Sequence, residues 1–171
     1  ITFTGVEIGA DAAIGDPENG LPLVERVVDE TRTAMCAEAV GAMDESLKST
    51  VEYLKTRKQF GVPIGSFQTL QHRAADMFVA LEQARSMSMF ATMAADFESA
   101  TDRATAVAAA KVQIGKSGKF IGQQSIQLHG GVGMTQEFKI GHYFKRLTMI
   151  ESTFGDTDFH LRRVTDAGGL V

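Results

Sequence analysis

The sequence predicts an all-α domain: an up-down four-helix-type bundle with a short strand remnant at its N-terminus. Three observations predict it. Apolar residues recur at spacings of three and four through three long segments, brief Gly/Pro punctuation separates those segments, and the first stretch of chain differs in kind from the rest. Residues 1–15, "ITFTGVEIGADAAIG", alternate β-favouring and turn residues and read as a lone strand and loop. A lone strand needs partners that the chain does not encode. Residues 1–15 are therefore expected to be the tail of an upstream β domain, and residues 16–171 the helical bundle.

The first helix is expected from about Leu23 to Thr56, with Val40, Met43, Leu47, Val51 and Leu54 on one stripe. "GVPIGS" then interrupts: Pro63 has no N–H and a fixed φ, and Ser66 is placed to cap the next helix. That second helix, about Ser66 to Glu98, aligns Leu70, Ala74, Met77, Leu81, Ala84, Ser88, Ala91 and Ala95. The third, Thr101 to about His129, puts Val107, Ala110, Ile114, Ser117, Ile121 and Leu128 on a shared face. It is rich in Ala and Gly, which let helix backbones approach closely. "HGGVG" ends it, with Gly130 or Gly131 as the left-handed C-cap. A shorter helical stretch and a last helix, roughly Asp156 to Thr165, complete the set.

Composition narrows the function classes. The 171 residues are 44% hydrophobic and 22% charged with a net charge of −4, a mild acidity that argues against a nucleic-acid or anionic-membrane surface. No run of about 18 apolar residues occurs, so membrane insertion is not expected. The chain starts at Ile1 and reads as a soluble fragment. Cys36 is the only cysteine, so packing rather than a disulfide holds the fold; a reducing compartment, the cytoplasm or an organelle matrix, is expected. No metal-ligand spacing appears.

Two stretches stand out chemically. "YLKTRKQFGVPIGSFQTLQH" places Arg57 near a helix C-terminus beside Lys58, Gln59 and Phe60, with Phe67, Gln68 and His72 opening the next helix. Arg57 alone can simply answer the helix dipole. The glycines of "IQLHGGVGM" follow no strand and match no phosphate-loop spacing, so alone they read as a C-cap.

Taken together, "RKQFG", "FQTLQH" and "QLHGGVGM" resemble the C-terminal helical domain of the acyl-CoA dehydrogenase family, and the resemblance runs over nearly the whole chain. It implies a flavoenzyme that uses FAD to desaturate an acyl-CoA thioester between its α and β carbons and hands the electrons to an acceptor. It also implies an oligomer in which one subunit's bundle holds the adenine and pyrophosphate half of its neighbour's FAD. The positions carried over are Arg57, Lys58, Gln59, Phe60, Phe67, Gln68, Gln127, Leu128, His129, Gly130 and Gly131. A guanidinium suits a pyrophosphate, amides read polar edges and glycines admit close approach. "DETR" matches the stretch lining the thioester's route, making Asp29 and Arg32 candidate substrate contacts, the alternative being a solvated helix face.

One loop departs from the family. Members commonly end the penultimate helix in Glu-Gly-Thr, where Glu removes the α proton and Thr helps hold that subunit's own FAD. Here "TMIESTFGDTDF" has Phe154 for Glu and Asp156 for Thr. Phe154 accepts no proton at any pH, and Asp156 sets a negative charge where phosphates would lie. The other family base position, on the first long helix, is Thr31. Glu151, Asp156 and Glu30 are the nearby carboxylates that a relocated base would need. His129 is expected at the cofactor-facing turn, His142 in helix packing and Cys36 in the core. The expected catalytic set is therefore empty. The chain reads as a non-catalytic subunit that partners homologous subunits. An active homo-oligomer with a relocated base and a purely structural oligomerisation bundle are the alternatives.

Overall fold

The computed structural model describes residues 1–169. Three long helices carry the fold: α1 (Leu21–Thr56), α2 (Gln68–Ala94) and α3 (Ala100–His129), followed by α4 (Lys139–Ser152) and α5 (Thr157–Asp166). A two-strand hairpin, β1 (Lys58–Gln59) and β2 (Val62–Pro63), links α1 to α2.

Cross-helix contacts fix the directions. Arg73 meets Gln124, Ser117 meets Ala80 and Gln83 meets Gln113, so α2 and α3 run antiparallel. Lys139 meets Glu45 and Arg146 meets Glu38, which sets α4 antiparallel to α1. Lys111 on α3 reaches Ile150 on α4, and Gly118 lies against Leu147, giving the same sense between α3 and α4. The bundle of α1–α4 is thus up-down-up-down, with α3 packed on all the other helices, α5 included.

The stripes foreseen from spacing form the core. Met43, Met77, Leu81, Ile114 and Ile121 are buried almost completely, together with Cys36 and Ala84. At the end of α2 the buried alanine is Ala94, while Ala95 is only half-buried. Small residues on α3 do allow close approach: a Cβ added to Gly122 would lie 2.9 Å from Cδ2 of Phe144. Buried hydroxyls are satisfied inside the helices, as where Thr50 donates to the Ser46 carbonyl at 2.7 Å.

Residues 1–15, expected as a strand and loop, are exposed, with one 3-10 turn at Ala10–Ala12 and no ladder partner among the described residues. One local expectation is corrected. Ser66 does not cap α2: its hydroxyl donates to the Pro63 carbonyl at 2.7 Å, and Phe67 occupies the N-cap with no side-chain bond. The C-cap of α3 is Gly130, at φ 62.

Truncating Ile121, which is fully buried in α3, removes contacts in the middle of the bundle. Ile121→Ala should lower unfolding free energy by about 2–5 kcal/mol in urea titrations, with the helical circular-dichroism spectrum retained below the transition.

Candidate functional site

The α1–α2 connection is a two-residue hairpin pairing Lys58 with Pro63 and Gln59 with Val62. Its central residues Phe60 and Gly61 have φ of 55 and 81, the positive pair that a type I′ turn requires. Gly61 takes this conformation freely; Phe60 is held in it at the tip, 91% exposed. Its ring meets that of Phe67 edge-on at 6.1 Å.

Below this hairpin lies a groove of about 620 Å³ between the C-terminus of α1, the N-terminus of α2 and the C-terminus of α3. It gathers Arg57, Gln59, Gln127, Leu128, His129, Gly130 and Gly131, seven of the eleven residues expected there. Lys58, Phe60, Phe67 and Gln68 stand beside it rather than in its lining. Tyr53, Thr69, Leu70 and Arg73 also line it and were not foreseen. Helical spacing held the signal: Tyr53 precedes Arg57 by one turn, and Thr69 and Arg73 are one turn apart.

The groove has a distinct electrostatic character. No carboxylate lines it, and among the described residues neither Arg57 nor Arg73 has an acidic partner. His129 is buried at the groove's wall, its ring 4.5 Å from that of Tyr53 and 5.0 Å from that of Phe138. Its Nδ1 lies 2.7 Å from the Ser125 carbonyl, and since a carbonyl only accepts, Nδ1 carries the proton. Burial holds the imidazole below its ordinary pKa, so it is neutral with an unpartnered Nε2 lone pair. A Cβ at Gly130 or Gly131 would meet nothing within 4 Å, so both glycines face open space.

The second feature is the α4–α5 loop. Phe154 has φ 57 and Gly155 φ 105. For a bulky residue the left-handed region costs about 1–2 kcal/mol, and here it is over-determined. The Phe154 carbonyl accepts from Arg32 Nε at 3.1 Å and Nη2 at 3.0 Å, and from His160 Nε2 at 3.1 Å. Arg32 is itself fixed by Asp29 at 3.0 Å, and Asp29 sits 3.6 Å from Arg103. Both Asp29 and Arg32 are buried, so this part of α1 is not a solvated face. They line a small cavity of about 150 Å³ with Glu25, Arg103 and Arg163. Lys111, 2% exposed, closes the set by donating to the carbonyls of Ile150 at 2.6 Å, Glu151 at 3.3 Å and Thr153 at 3.1 Å. A cation thereby meets the negative end of α4.

The three carboxylates that a relocated base would draw on each hold another group. Glu151 Oε1 accepts from the Thr157 amide at 2.9 Å, and Asp156 is the N-cap of α5, accepting from Phe159 N–H at 2.8 Å. Glu30 pairs with Arg26 at 3.0 Å on the surface. Thr31 donates to the Val27 carbonyl at 2.7 Å. His142 is exposed rather than packed, and its Nε2–H donates to the Gln136 carbonyl at 2.8 Å. Cys36 is core, its thiol pushed up to about 11 by burial, which makes it unreactive at neutral pH. Among the described residues no group of three or more potential metal ligands occurs, and no helix is long and apolar enough to cross a membrane.

This bundle and groove belong to a known class. Residues 18–168 match the model of the acyl-CoA dehydrogenase C-terminal domain, and the chain belongs to the acyl-CoA dehydrogenase family. It is 34% identical over 156 residues to the acyl-CoA dehydrogenase IpdE2 of Mycolicibacterium smegmatis, covering 91% of this chain and 46% of that protein. Among solved structures it is similar to the Tcur3481-Tcur3483 steroid acyl-CoA dehydrogenase in a point variant, with TM-score 0.79 and 33% identity over 86% of this chain and 39% of that one. It is also similar to the ChsE4-ChsE5 complex of Mycobacterium tuberculosis, with TM-score 0.72 and 28% identity over 81% of this chain and 37% of that one. The chain spans less than half the length of the curated relatives it matches.

Acid should loosen the α4–α5 loop. Burial, then Arg32 and Lys111, push His160 down to about 4 from 6.5. The unfolded chain therefore binds a proton that the folded chain refuses between those values, and stability falls as pH drops from 6.5 toward 4. Urea midpoints measured at pH 7 and pH 5 should show this fall, and His160→Gln should make it smaller.

Proposed function

We propose that this chain is the bundle of a non-catalytic subunit in a heteromeric acyl-CoA dehydrogenase. It lends its groove to the FAD of a homologous partner and has lost proton abstraction of its own. FAD is the cofactor of this family, and the groove suits it on chemical grounds. Two unpaired guanidiniums, no carboxylate, an orphaned imidazole nitrogen and two glycines facing open space fit a dianionic, aromatic-headed ligand. Arg57 would hold the pyrophosphate, Gln59 and Gln127 would read polar edges, and Gly130 and Gly131 would let the cofactor lie against the backbone. Lys58, Phe60, Phe67 and Gln68 would close the groove from the hairpin side. When bound, FAD supplies the acceptor for the hydride from the substrate's β carbon.

The observation that carries the non-catalytic role is Phe154. The loop keeps its strained backbone, yet the side chain at its turn is a phenyl ring, and Glu151, Asp156 and Glu30 are each held by another group. A base must be turned toward the α proton, and each of these carboxylates is already turned by a bond to a helix end or a surface arginine, which argues against its serving as one. Asp156, spent on the cap of α5, also puts a negative charge beside any diphosphate bound there. Asp29 and Arg32 would shape the thioester's route through the loop they support. Two of the similar structures carry paired names, Tcur3481-Tcur3483 and ChsE4-ChsE5, which supports a heteromeric assembly.

The test is a flavin count. In the native assembly, FAD should be bound at fewer than one per polypeptide, and Arg57→Gln in this chain should release it; full loading of a homo-oligomer that dehydrogenates an acyl-CoA would refute the proposal. A relocated base has its own signature. Glu151→Gln, Glu30→Gln and Asp156→Asn should each leave α-proton exchange in deuterated water unchanged within about twofold. Loss of exchange in any one of them would identify that residue as the base.

A further inference from the structure

We infer that Arg73 is a second anion-binding group of the groove, supplying a guanidinium to the pyrophosphate opposite the one supplied by Arg57. The inference rests on the groove being the cofactor surface of the proposed function. Arg57 caps the C-terminus of α1, whereas Arg73 lies in the second turn of α2, so the two cations approach the same groove from different helices. A pyrophosphate diester carries two negative charges, and one guanidinium supplies a single positive charge against them.

Three further facts support the assignment. Arg73 is anchored without being neutralised: Nη1 donates to the side-chain carbonyl of Gln124 on α3 at 3.2 Å, which steadies the guanidinium and leaves its charge and remaining N–H groups available. The charge is also uncompensated: the cavity beside Arg32 has Glu25 and Asp29 in its lining, whereas this groove has no Asp or Glu at all. Lastly, α2 starts with no side-chain cap, and Thr69 of its first turn lines the groove. The N–H groups of Leu70 and Gln71 bond the Phe67 carbonyl, but the positive dipole end of this 27-residue helix still borders the groove that Arg73 lines.

The experiment compares Arg73→Gln, Arg57→Gln and Gln124→Ala in the native assembly, following FAD release by the recovery of flavin fluorescence at low and high salt. Arg73→Gln should weaken FAD retention about tenfold at low salt, and the gap to wild type should shrink at high salt, because a lost long-range attraction is a screened one. Gln124→Ala keeps the charge and should keep the wild-type salt dependence. If Arg57→Gln sheds FAD while Arg73→Gln behaves as wild type, the inference falls and the proposed function stands. If neither variant sheds FAD, the groove is not the cofactor surface and both fall. A loss in Arg73→Gln that is equal at all salt concentrations, or is matched by Gln124→Ala, makes the residue a helix-to-helix tie and overturns the inference.

Discussion

The carbonyl oxygen of Phe154 accepts two hydrogen bonds from Arg32 and one from His160, and the whole C-terminal end of the bundle is organised about that atom. The bonds join α1, the α4–α5 loop and α5. Asp29 extends the network to Arg103 on α3, and Lys111 of α3 gathers the last carbonyls of α4. Removing Arg32 would leave buried Asp29 with only the longer contact to Arg103 and release a backbone held in a conformation that phenylalanine does not favour. The clamp acts on the main chain, and the side chain at position 154 is free to differ without loss of the loop. Under the proposed function, such a clamp would let a subunit keep the shape of this turn without a carboxylate at its tip.

The groove at the other end of α1 answers to a separate constraint. It is cationic in a chain whose net charge is −4, and its cations are left unpaired while Arg26, Arg32, Arg85, Arg103 and Arg146 all have carboxylate partners. Unpaired surface guanidiniums cost little by themselves, and two of them beside an uncapped helix N-terminus make a place where an anion is favoured. The hairpin that overhangs the groove holds Phe60 at its tip by a type I′ turn, leaving an aromatic ring exposed next to the cations. The two ends therefore differ: the groove leaves the guanidiniums of Arg57 and Arg73 without acidic partners, while the loop ties Arg32, Lys111, Glu151 and Asp156 to its own backbone.

Much of this was legible in the sequence because it depends on local periodicity. The stripes of Met43, Met77, Leu81, Ile114 and Ile121 follow from spacing alone, while "HGGVG" allows Gly130 or Gly131 as the cap and the structure selects Gly130. Contacts made at long range were not legible. Nothing in the spacing around Lys111 signals that its ammonium is buried against carbonyls 39 to 42 residues further on. Asp29 and Arg32 were read as facing ligand or solvent, and only the return of the chain 122 residues later reveals what Arg32 holds. Ser66 looked like a cap, and the 3-10 turn at Ile64–Ser66 directed its hydroxyl to Pro63 instead. Arg73 is silent in the sequence, since a single arginine inside an amphipathic helix carries no signal until the facing helix is in place.

The central claim is a division of labour between two sites on one chain, and a structure of the native assembly determined with added FAD measures it most directly. FAD bound along the Arg57 groove and running into the neighbouring subunit, with none held beside Phe154 and Asp156, is the predicted result. FAD seated against the Phe154–Asp156 turn of this chain, with a carboxylate of the same chain aimed at the substrate's α carbon, would contradict it.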